Sequence, residues 1–308
     1  MEKHNNVTEF ILVGILMKKE LKIVCFVIFL ACYLAIFMGN FIIFITISYS
    51  HLMQQPMYYF LWHLSFMDPC FTSTIVPRMI SDLFSSKKTI SYNYCMTQLF
   101  TFHLLAGVEV FILVSMAFDR YVAICKPLHY GTVVTRQRCN TLILTAWVVA
   151  FWHSIAQLFT ILRLPFCGPN QIDHYICDSK ALLKLACTDT YVASILVIAN
   201  SGMVALITFL VLVASYIIIL YNLRKHSAEG RRKALSTCAS HVMVVILFFV
   251  PCIITYIPPS DAVNEKEFSV FYTVVSPMLN PLIYTLRNTE MKNAMRKVWS
   301  RKLTMLCK

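Results

Sequence analysis

One apolar stretch of the chain ends in ten residues that combine an acid, a base and a tyrosine with aliphatic side chains, MAFDRYVAIC (residues 116–125). The residues before this segment, from 95 onward, are mostly apolar and include one acid, Glu109. A helix that spans a membrane needs about 20 predominantly apolar residues. The run 95–124 is therefore predicted to be a transmembrane helix that carries Asp119 and Arg120 at its end.

Six further runs meet the same requirement, and the composition agrees with them. Of the 308 residues, 58% are hydrophobic and 14% are charged, whereas soluble domains carry about 25% charged residues. We expect an all-α membrane protein, a seven-transmembrane helix bundle over 23–286 between a tail 1–22 and a C-terminal segment 287–308. The other predicted spans are 23–48, 57–80, 140–161, 191–222, 237–258 and 267–286.

The distribution of basic residues predicts the orientation. More than half of the 27 Lys and Arg residues fall in the segments on the C-terminal side of the membrane. The positive-inside rule then places the N-terminus outside the cell, in a multi-pass protein of the plasma membrane. A glycosylation acceptor, Asn6-Val7-Thr8, suits that side. A nucleic-acid partner is not favoured, because no basic surface remains once the membrane is assigned.

The segment 289–302 has a two-sided pattern that is typical of an amphipathic helix. Such a helix lies on the anionic inner leaflet as a short interfacial helix, and the alternative is a solvated tail. The apolar side is formed by Met291, Ala294, Met295, Val298 and Trp299, and the basic side mainly by Lys292, Arg296, Lys297 and Lys302.

Several motifs along the chain resemble those of rhodopsin-like G-protein-coupled receptors, and of olfactory receptors in particular. The motif 116–125 is one of them, and PLHY (127–130) and STCASH (236–241) are similar to olfactory receptors. GPNQIDHY (168–175) and LKLAC (183–187) resemble the class II, or tetrapod, branch. The other matching segments are Gly39-Asn40, PMY (56–58), LSFMD (64–68), Trp147, Ser215-Tyr216 and PMLNPLIY (277–284).

The resemblance implies an odorant receptor and not an enzyme. Such a receptor binds a small, volatile, mostly apolar ligand from the outside and activates a stimulatory heterotrimeric G protein, which raises cyclic AMP. A transporter or channel needs an internal repeat or paired half-helices, and neither is visible. A receptor-like protein that no longer signals stays open, because Phe118 and Val250 depart from the family pattern.

The acid and base at the end of the third span have two interpretations. From the residues alone, an Arg at a helix end extends towards the membrane surface and pairs with its neighbour. The resemblance implies instead a switch in which Arg120 is released to meet the G protein. The switch residues are then Asp119, Arg120, Tyr121, Tyr216 and Tyr284.

Two carboxyl groups, Asp68 and Glu109, lie within predicted spans. Ionisable groups are unfavourable there, so a partner or a function is expected. The resemblance implies a sodium ion beside Asn40 and Asn280, because a hard cation prefers oxygen ligands. A protonated, hydrogen-bonded pair is the alternative, and we expect no other cofactor.

Four cysteines fall on predicted outer segments, where the compartment is oxidising. Four cysteines allow three pairings, and the resemblance implies Cys95 with Cys177 and Cys167 with Cys187. The alternative for Cys177 is a copper or zinc ligand with His174 and Asp178.

The ligand pocket is expected to open outward between the third, fifth, sixth and seventh spans. Its residues come from the resemblance, and they are mostly apolar without a charged group. His103 and Asn200 are the candidate hydrogen-bond partners, unless they bond only to neighbouring helices. The expected lining is Phe102, His103, Ala106, Gly107, Asn200, Val204, Phe249, Ile253, Tyr256 and Thr273.

Overall fold

The computed structural model describes residues 7–14, 19–85, 87–224, 227–257, 265–286 and 288–306. They form seven long helical segments and an eighth, amphipathic helix. The helices are α1 (Lys19–Ser48), α2 (Pro56–Ser73, followed by Val76–Asp82), α3 (Tyr92–Cys125), α4 (Arg136–Leu162), α5 (Tyr191–Leu223), α6 (Ala228–Tyr256), α7 (265–286) and α8 (Thr289–Leu306).

The seven-helix bundle predicted from the sequence is confirmed, and each predicted span overlaps one of the helices α1 to α7. Within the described residues, α1, α3, α4, α5 and α6 are long and apolar enough to cross a membrane. The other two are interrupted. Helix α2 contains Asp68 and Pro69, and α7 passes through a wider π-helical turn, Phe271–Val275. These interruptions place polar groups inside the bundle, where other helices can bond to them.

Helix α3 occupies the centre of the bundle and packs against α2, α4 and α5. Its contact with α4 is the most extensive, and small residues make it possible. A Cβ added at Gly107 would lie 2.9 Å from the Cβ of Ala150. Close approach through small residues is a common way for membrane helices to pack, because lipid provides no hydrophobic force between helices.

A small sheet covers the end of the bundle where α3 begins. Strand β1 (Glu9–Leu12) pairs antiparallel with β2 (Thr89–Ser91) and parallel with β3 (Gln171–Ile172). Phe10 of β1 is fully buried and packs edge-on against Phe166. The N-terminal segment is therefore part of the folded cap, and the predicted glycosylation acceptor Asn6 lies outside the described residues.

Both disulfides implied by the resemblance are present at the same end of the bundle. Cys95 at the start of α3 is bonded to Cys177, and Cys167 is bonded to Cys187. Because its sulfur is in a disulfide, Cys177 is not available as a metal ligand, and the copper or zinc alternative is wrong. This end is called the disulfide end below, and the opposite end is called the Arg120 end.

Helix α8 is amphipathic as predicted, but its apolar side lies against protein. Met291, Ala294 and Val298 are buried, and the indole nitrogen of Trp299 donates to Thr46 Oγ1 of α1 at 3.1 Å. The amphipathic pattern predicted an interfacial helix, but such a pattern does not distinguish lipid from an apolar protein surface. The basic side remains exposed through Lys292, Arg296 and Lys297.

The contact between α1 and α7 predicts a stability effect. An alanine Cβ at Gly39 would lie 2.9 Å from the Cβ of Pro281. Gly39→Ala should therefore lower the free energy of unfolding by about 1–3 kcal/mol through overpacking. Thermal melting of the detergent-solubilised protein measures this. Gly131→Ala is the matched control, since nothing lies within 4 Å of its added Cβ, and an equal loss in both variants would contradict the prediction.

Candidate functional site

A cavity of about 430 Å³ lies inside the half of the bundle towards the disulfide end. Its walls come from α3, α4, α5, α6 and α7, and they are mainly apolar and aromatic. This composition suits a small ligand that is mostly apolar. The lining residues are Phe102, His103, Ala106, Gly107, Val110, Phe111, Val149, Trp152, His153, Asn200, Ser201, Val204, Ala205, Phe248, Cys252, Tyr256 and Tyr272.

Seven of the ten residues expected in the pocket line this cavity, and three do not. On α6 the lining positions are Phe248 and Cys252, one residue before the expected Phe249 and Ile253. Successive residues on an α-helix point about 100° apart. A shift of one residue therefore moves a side chain off the cavity wall, and sequence matching does not fix that rotation.

The third difference lies in the π-helical turn of α7. Tyr272 lines the cavity in place of the expected Thr273. The hydroxyl of Thr273 donates to Ser269 O at 2.7 Å and lies 3.3 Å from the hydroxyl of Tyr175. A π turn changes the direction of the side chains that follow it, and apolar periodicity does not predict such a turn.

Helix α4 contributes residues that sequence reasoning missed, namely Val149, Trp152 and His153. The available signal was His153, a polar residue in the middle of an apolar span. Its Nδ1 lies 3.1 Å from Asn200 Oδ1 on α5. Asn200 Nδ2 in turn donates to Gln157 Oε1 on α4 at 2.9 Å.

These side chains belong to a polar network along one side of the cavity. Ser179 Oγ accepts from Gln157 Nε2 at 2.6 Å and lies 3.2 Å from His103 Nε2. His103 and Asn200, the expected ligand partners, thus line the cavity and also bond to neighbouring segments. Ser201 Oγ, in the π-helical part of α5, is buried and makes no hydrogen bond with the described residues. This hydroxyl is the clearest polar atom available to a ligand.

The cavity has a roof of ten consecutive buried residues, 174–183. Asp178 Oδ2 accepts from the hydroxyl of Tyr256 at 2.9 Å, and Lys180 Nζ donates to Thr255 O at 2.8 Å. A buried loop is unusual, because its polar groups must find partners within the protein. Here these two partners are on α6, and the hydroxyl of Tyr175 lies 2.8 Å from Ser269 Oγ of α7. The roof is thus bonded to both helices.

At the Arg120 end, the acid and base of the 116–125 segment form an ion pair. Arg120 donates from Nε and Nη2 to Asp119 Oδ2 at 3.0 and 2.5 Å. The hydroxyl of Tyr130 donates to the other carboxylate oxygen, Oδ1, at 2.7 Å. Asp119 is fully buried, so its charge depends on these two partners. Arg120 is thus held by its neighbour and does not extend away from α3.

The chain is similar to known proteins over nearly its whole length. A sequence model of one protein family, described as Olfactory receptor, matches residues 29–302. Olfactory receptor 4S2 of Homo sapiens is 54% identical over 309 residues, which cover 100% of this chain and 99% of that protein. Olfactory receptor 4B13 of Mus musculus is 54% identical over 98% of this chain and 99% of its own length.

The chain belongs to the olfactory receptor family. It is therefore a multi-pass membrane receptor of the G-protein-coupled class and not an enzyme.

The other predicted switch residues of the receptor lie near the ion pair without contacting Arg120 through a hydrogen bond. The hydroxyl of Tyr216 on α5 is bonded to His241 Nδ1 on α6. The hydroxyl of Tyr284 on α7 is buried and makes no hydrogen bond with the described residues. Tyr121 is half-buried against the core. His241, in the STCASH segment, was not among the predicted switch residues.

Asp68 and Glu109 are both buried within the bundle. Asn280 Nδ2 donates to the two carboxylate oxygens of Asp68 at 3.2 and 3.0 Å. Two oxygens, Glu109 Oε1 and Asn280 Oδ1, are buried and make no hydrogen bond with the described residues. Asn40 bonds to backbone oxygens, at 3.0 Å to Ile36. The group thus contains carboxylate and amide oxygens that lack a hydrogen-bond partner among the described residues. Oxygen atoms of this kind are the ligands that a hard cation prefers.

Clusters of other metal-binding side chains are not found. Across the part of the chain that the structure describes, no group of three or more His, Cys, Asp or Glu residues is placed to hold a metal ion. A site with transition-metal ligands is therefore not supported in these segments.

The roof predicts a pH effect through His174, which lies outside the spanning helices. Burial lowers the pKa of His174 from 6.5 to about 4; Asp178 and Asp173 oppose this shift, and Lys266 adds to it. The unfolded chain binds a proton below pH 6.5, but folded His174 does so only near pH 4. The free energy of unfolding should therefore fall by about 2 kcal/mol between pH 7.5 and 5 because of this residue.

Melting of the detergent-solubilised receptor at the two pH values measures this effect. His174→Asn keeps an acceptor for the amide of Ile176, which bonds to His174 Nδ1 at 3.2 Å. The variant should lose less stability on acidification than the wild type does. The same pH dependence in both proteins would show that His174 does not contribute.

Proposed function

We propose that this receptor binds a small, mostly apolar odorant in the cavity and activates a stimulatory heterotrimeric G protein, which raises cyclic AMP. One observation carries the proposal. The same helix, α3, lines the cavity with Phe102 and His103 and holds the Asp119–Arg120 ion pair at its other end. The two sites are thus joined by one rigid element.

A ligand can act on such a receptor only by binding one of its conformations more tightly than another. The cavity touches Phe248, Cys252 and Tyr256 of α6, and further along α6 His241 bonds to Tyr216. A shift of α6 caused by the ligand would therefore act on the contact between Tyr216 and His241. Released from it, Tyr216 and the unpartnered Tyr284 would become partners of Arg120 in the signalling state.

We place the receptor in the plasma membrane with its N-terminus outside. Two features of the chain support this orientation. The disulfide end carries both cystines, which persist in an oxidising compartment. The Arg120 end carries the exposed basic side of α8, which suits the anionic inner leaflet.

Cyclic AMP production tests the proposed function. Cells expressing the wild type and Arg120→Ala, each with an epitope tag near the N-terminus, are exposed to a panel of neutral apolar odorants. The odorant-induced rise in cyclic AMP should be lower in the variant by about tenfold or more, as expected when the coupling between two sites is removed. Arg138→Ala is the matched control, because Arg138 is exposed and, among the described residues, its side chain donates only to Val133 O.

Surface staining of the tag on intact cells reports the orientation and the expression of each variant. Silence of a well-displayed wild type against the whole panel would contradict signalling. Charged amines and carboxylates should be inactive, because none of the described residues that line the cavity is a Lys, Arg, Asp or Glu and ions are unfavourable in an apolar site.

A sodium ion is proposed between Asp68, Glu109 and Asn280. The ion would supply the positive charge that lets two nearby carboxylates stay ionised in a buried site. Sodium chloride should then raise the melting temperature of the receptor above its value in choline chloride at the same concentration. Glu109→Gln should reduce that difference, whereas Glu229→Gln, at an exposed position of α6, should keep it. An equal response of all three proteins would argue for a protonated pair.

A further inference from the structure

On α3 and α6, several residues that line the cavity are buried, whereas two of those on α4 are partly exposed on the outside of the bundle. Beside the roof, Phe102, His103 and Tyr256 are 2%, 4% and 2% exposed. On α4, Val149 and Trp152 also line the cavity, yet they are 40% and 65% exposed. Both lie in the middle of a spanning helix, so this exposed surface faces lipid. The cavity therefore reaches the surface of the receptor on its lipid side, next to α4.

The roof closes the direct path along the axis of the bundle. Its ten residues are buried, and several of them bond to helices below, including three in a row. Asp178 is bonded to Tyr256, Lys180 to Thr255, and Ser179 to Gln157. Opening this path would break these hydrogen bonds and leave buried polar groups without partners. Each unpaired group raises the free energy of the open state.

The gap between α4 and α5 has no such closure. Towards the disulfide end, Asn200 joins the two helices through His153 and Gln157. Between this contact and the Arg120 end, the described parts of α4 and α5 share no hydrogen bond. Helix α4 contacts α5 mainly through the first part of α5, Tyr191–Met203. Val149 and Val204 line the cavity at this depth. Separating apolar side chains that already face lipid breaks no polar contact.

We propose that ligands enter and leave the cavity from the lipid bilayer, through a lateral portal between α4 and α5 bordered by Val149, Trp152 and Val204. This portal rests on the proposed function, because it serves the same cavity. It selects neutral molecules that dissolve in lipid before they bind. An ion reaches the portal only at a high free-energy cost, since it must first enter hydrocarbon.

The free thiol of Cys252 provides a probe that does not depend on signalling. Cys252 lines the cavity and is half-buried. Membranes containing the receptor are treated with N-phenylmaleimide, which dissolves in lipid, or with a sulfonated maleimide that does not. Mass spectrometry follows alkylation of Cys252 over time. Alkylation of Cys25 of α1 in the same sample shows that the probe has reached the membrane. The Cys252→Ser variant shows which modified peptide contains Cys252.

Two substitutions change the width of the portal in opposite directions. Val149→Trp should slow alkylation of Cys252 by N-phenylmaleimide about tenfold, which corresponds to a barrier higher by about 1.4 kcal/mol. Trp152→Ala should accelerate it. Val148→Trp and Phe151→Ala are matched controls, because they change exposed residues of α4 that do not line the cavity. The sulfonated probe should leave Cys252 unmodified in all of these proteins.

The outcomes separate the portal from the proposed function. Opposite changes in rate for Val149→Trp and Trp152→Ala, with unchanged controls, support the portal even if no odorant raises cyclic AMP. Equal rates in all variants, or alkylation by the sulfonated probe, would overturn it in favour of entry through the roof. Failure of N-phenylmaleimide to reach Cys252 in the wild type while Cys25 reacts would also overturn it. If one of the two variants does not reach the membrane, the alkylation rate of the other still tests the portal against its matched control.

Discussion

A polar group buried in a bundle surrounded by lipid can bond only to other groups of the protein. This constraint accounts for the main features of the receptor. Asp119 is fully buried and receives hydrogen bonds from Arg120 and Tyr130. The roof is buried because Asp178 and Lys180 reach partners on α6. Where the constraint is not met among the described residues, as at Glu109 Oε1 and Asn280 Oδ1, the oxygens are of the type that a hard cation binds.

The two ends of the receptor are connected by two continuous helices. The cavity lies on α3 and α6 at one end, and the same helices carry Arg120 and His241 at the other. Pro251 lies within α6 between these positions, one residue after Val250. Proline removes a backbone hydrogen bond from a helix and favours bending. Pro251 therefore gives α6 a point at which it can bend, next to Val250.

The sequence predicts the helices well because their signal is strong and local. The run 95–124 was expected to span the membrane, and the helix covers Tyr92–Cys125. Side-chain direction is predicted less well. Phe249 and Ile253 were expected in the cavity, but Phe248 and Cys252 line it, because a helix can rotate by one residue without changing its apolar composition.

Contacts between distant segments were the least predictable part of the site. Apart from the polar character of His153, nothing local to this part of α4 indicates that the helix forms a cavity wall, because this depends on how closely α3 and α4 approach at Gly107 and Ala150. The bond of Tyr216 to His241 depends in the same way on the relative position of α5 and α6. The apolar side of α8 had a clear pattern, but the pattern did not say whether lipid or α1 would cover it.

The three-stranded sheet at the disulfide end has a consequence for biosynthesis. Strand β1 is synthesised before α1, yet β3 (Gln171–Ile172), with which it pairs, follows four helices later. Until then Phe10 lacks the surface that buries it in the finished receptor. Strand β1 thus completes its folding late, and during this interval it is exposed as an apolar strand to the quality-control machinery of the cell. Export of the receptor would depend on how quickly that strand is taken up.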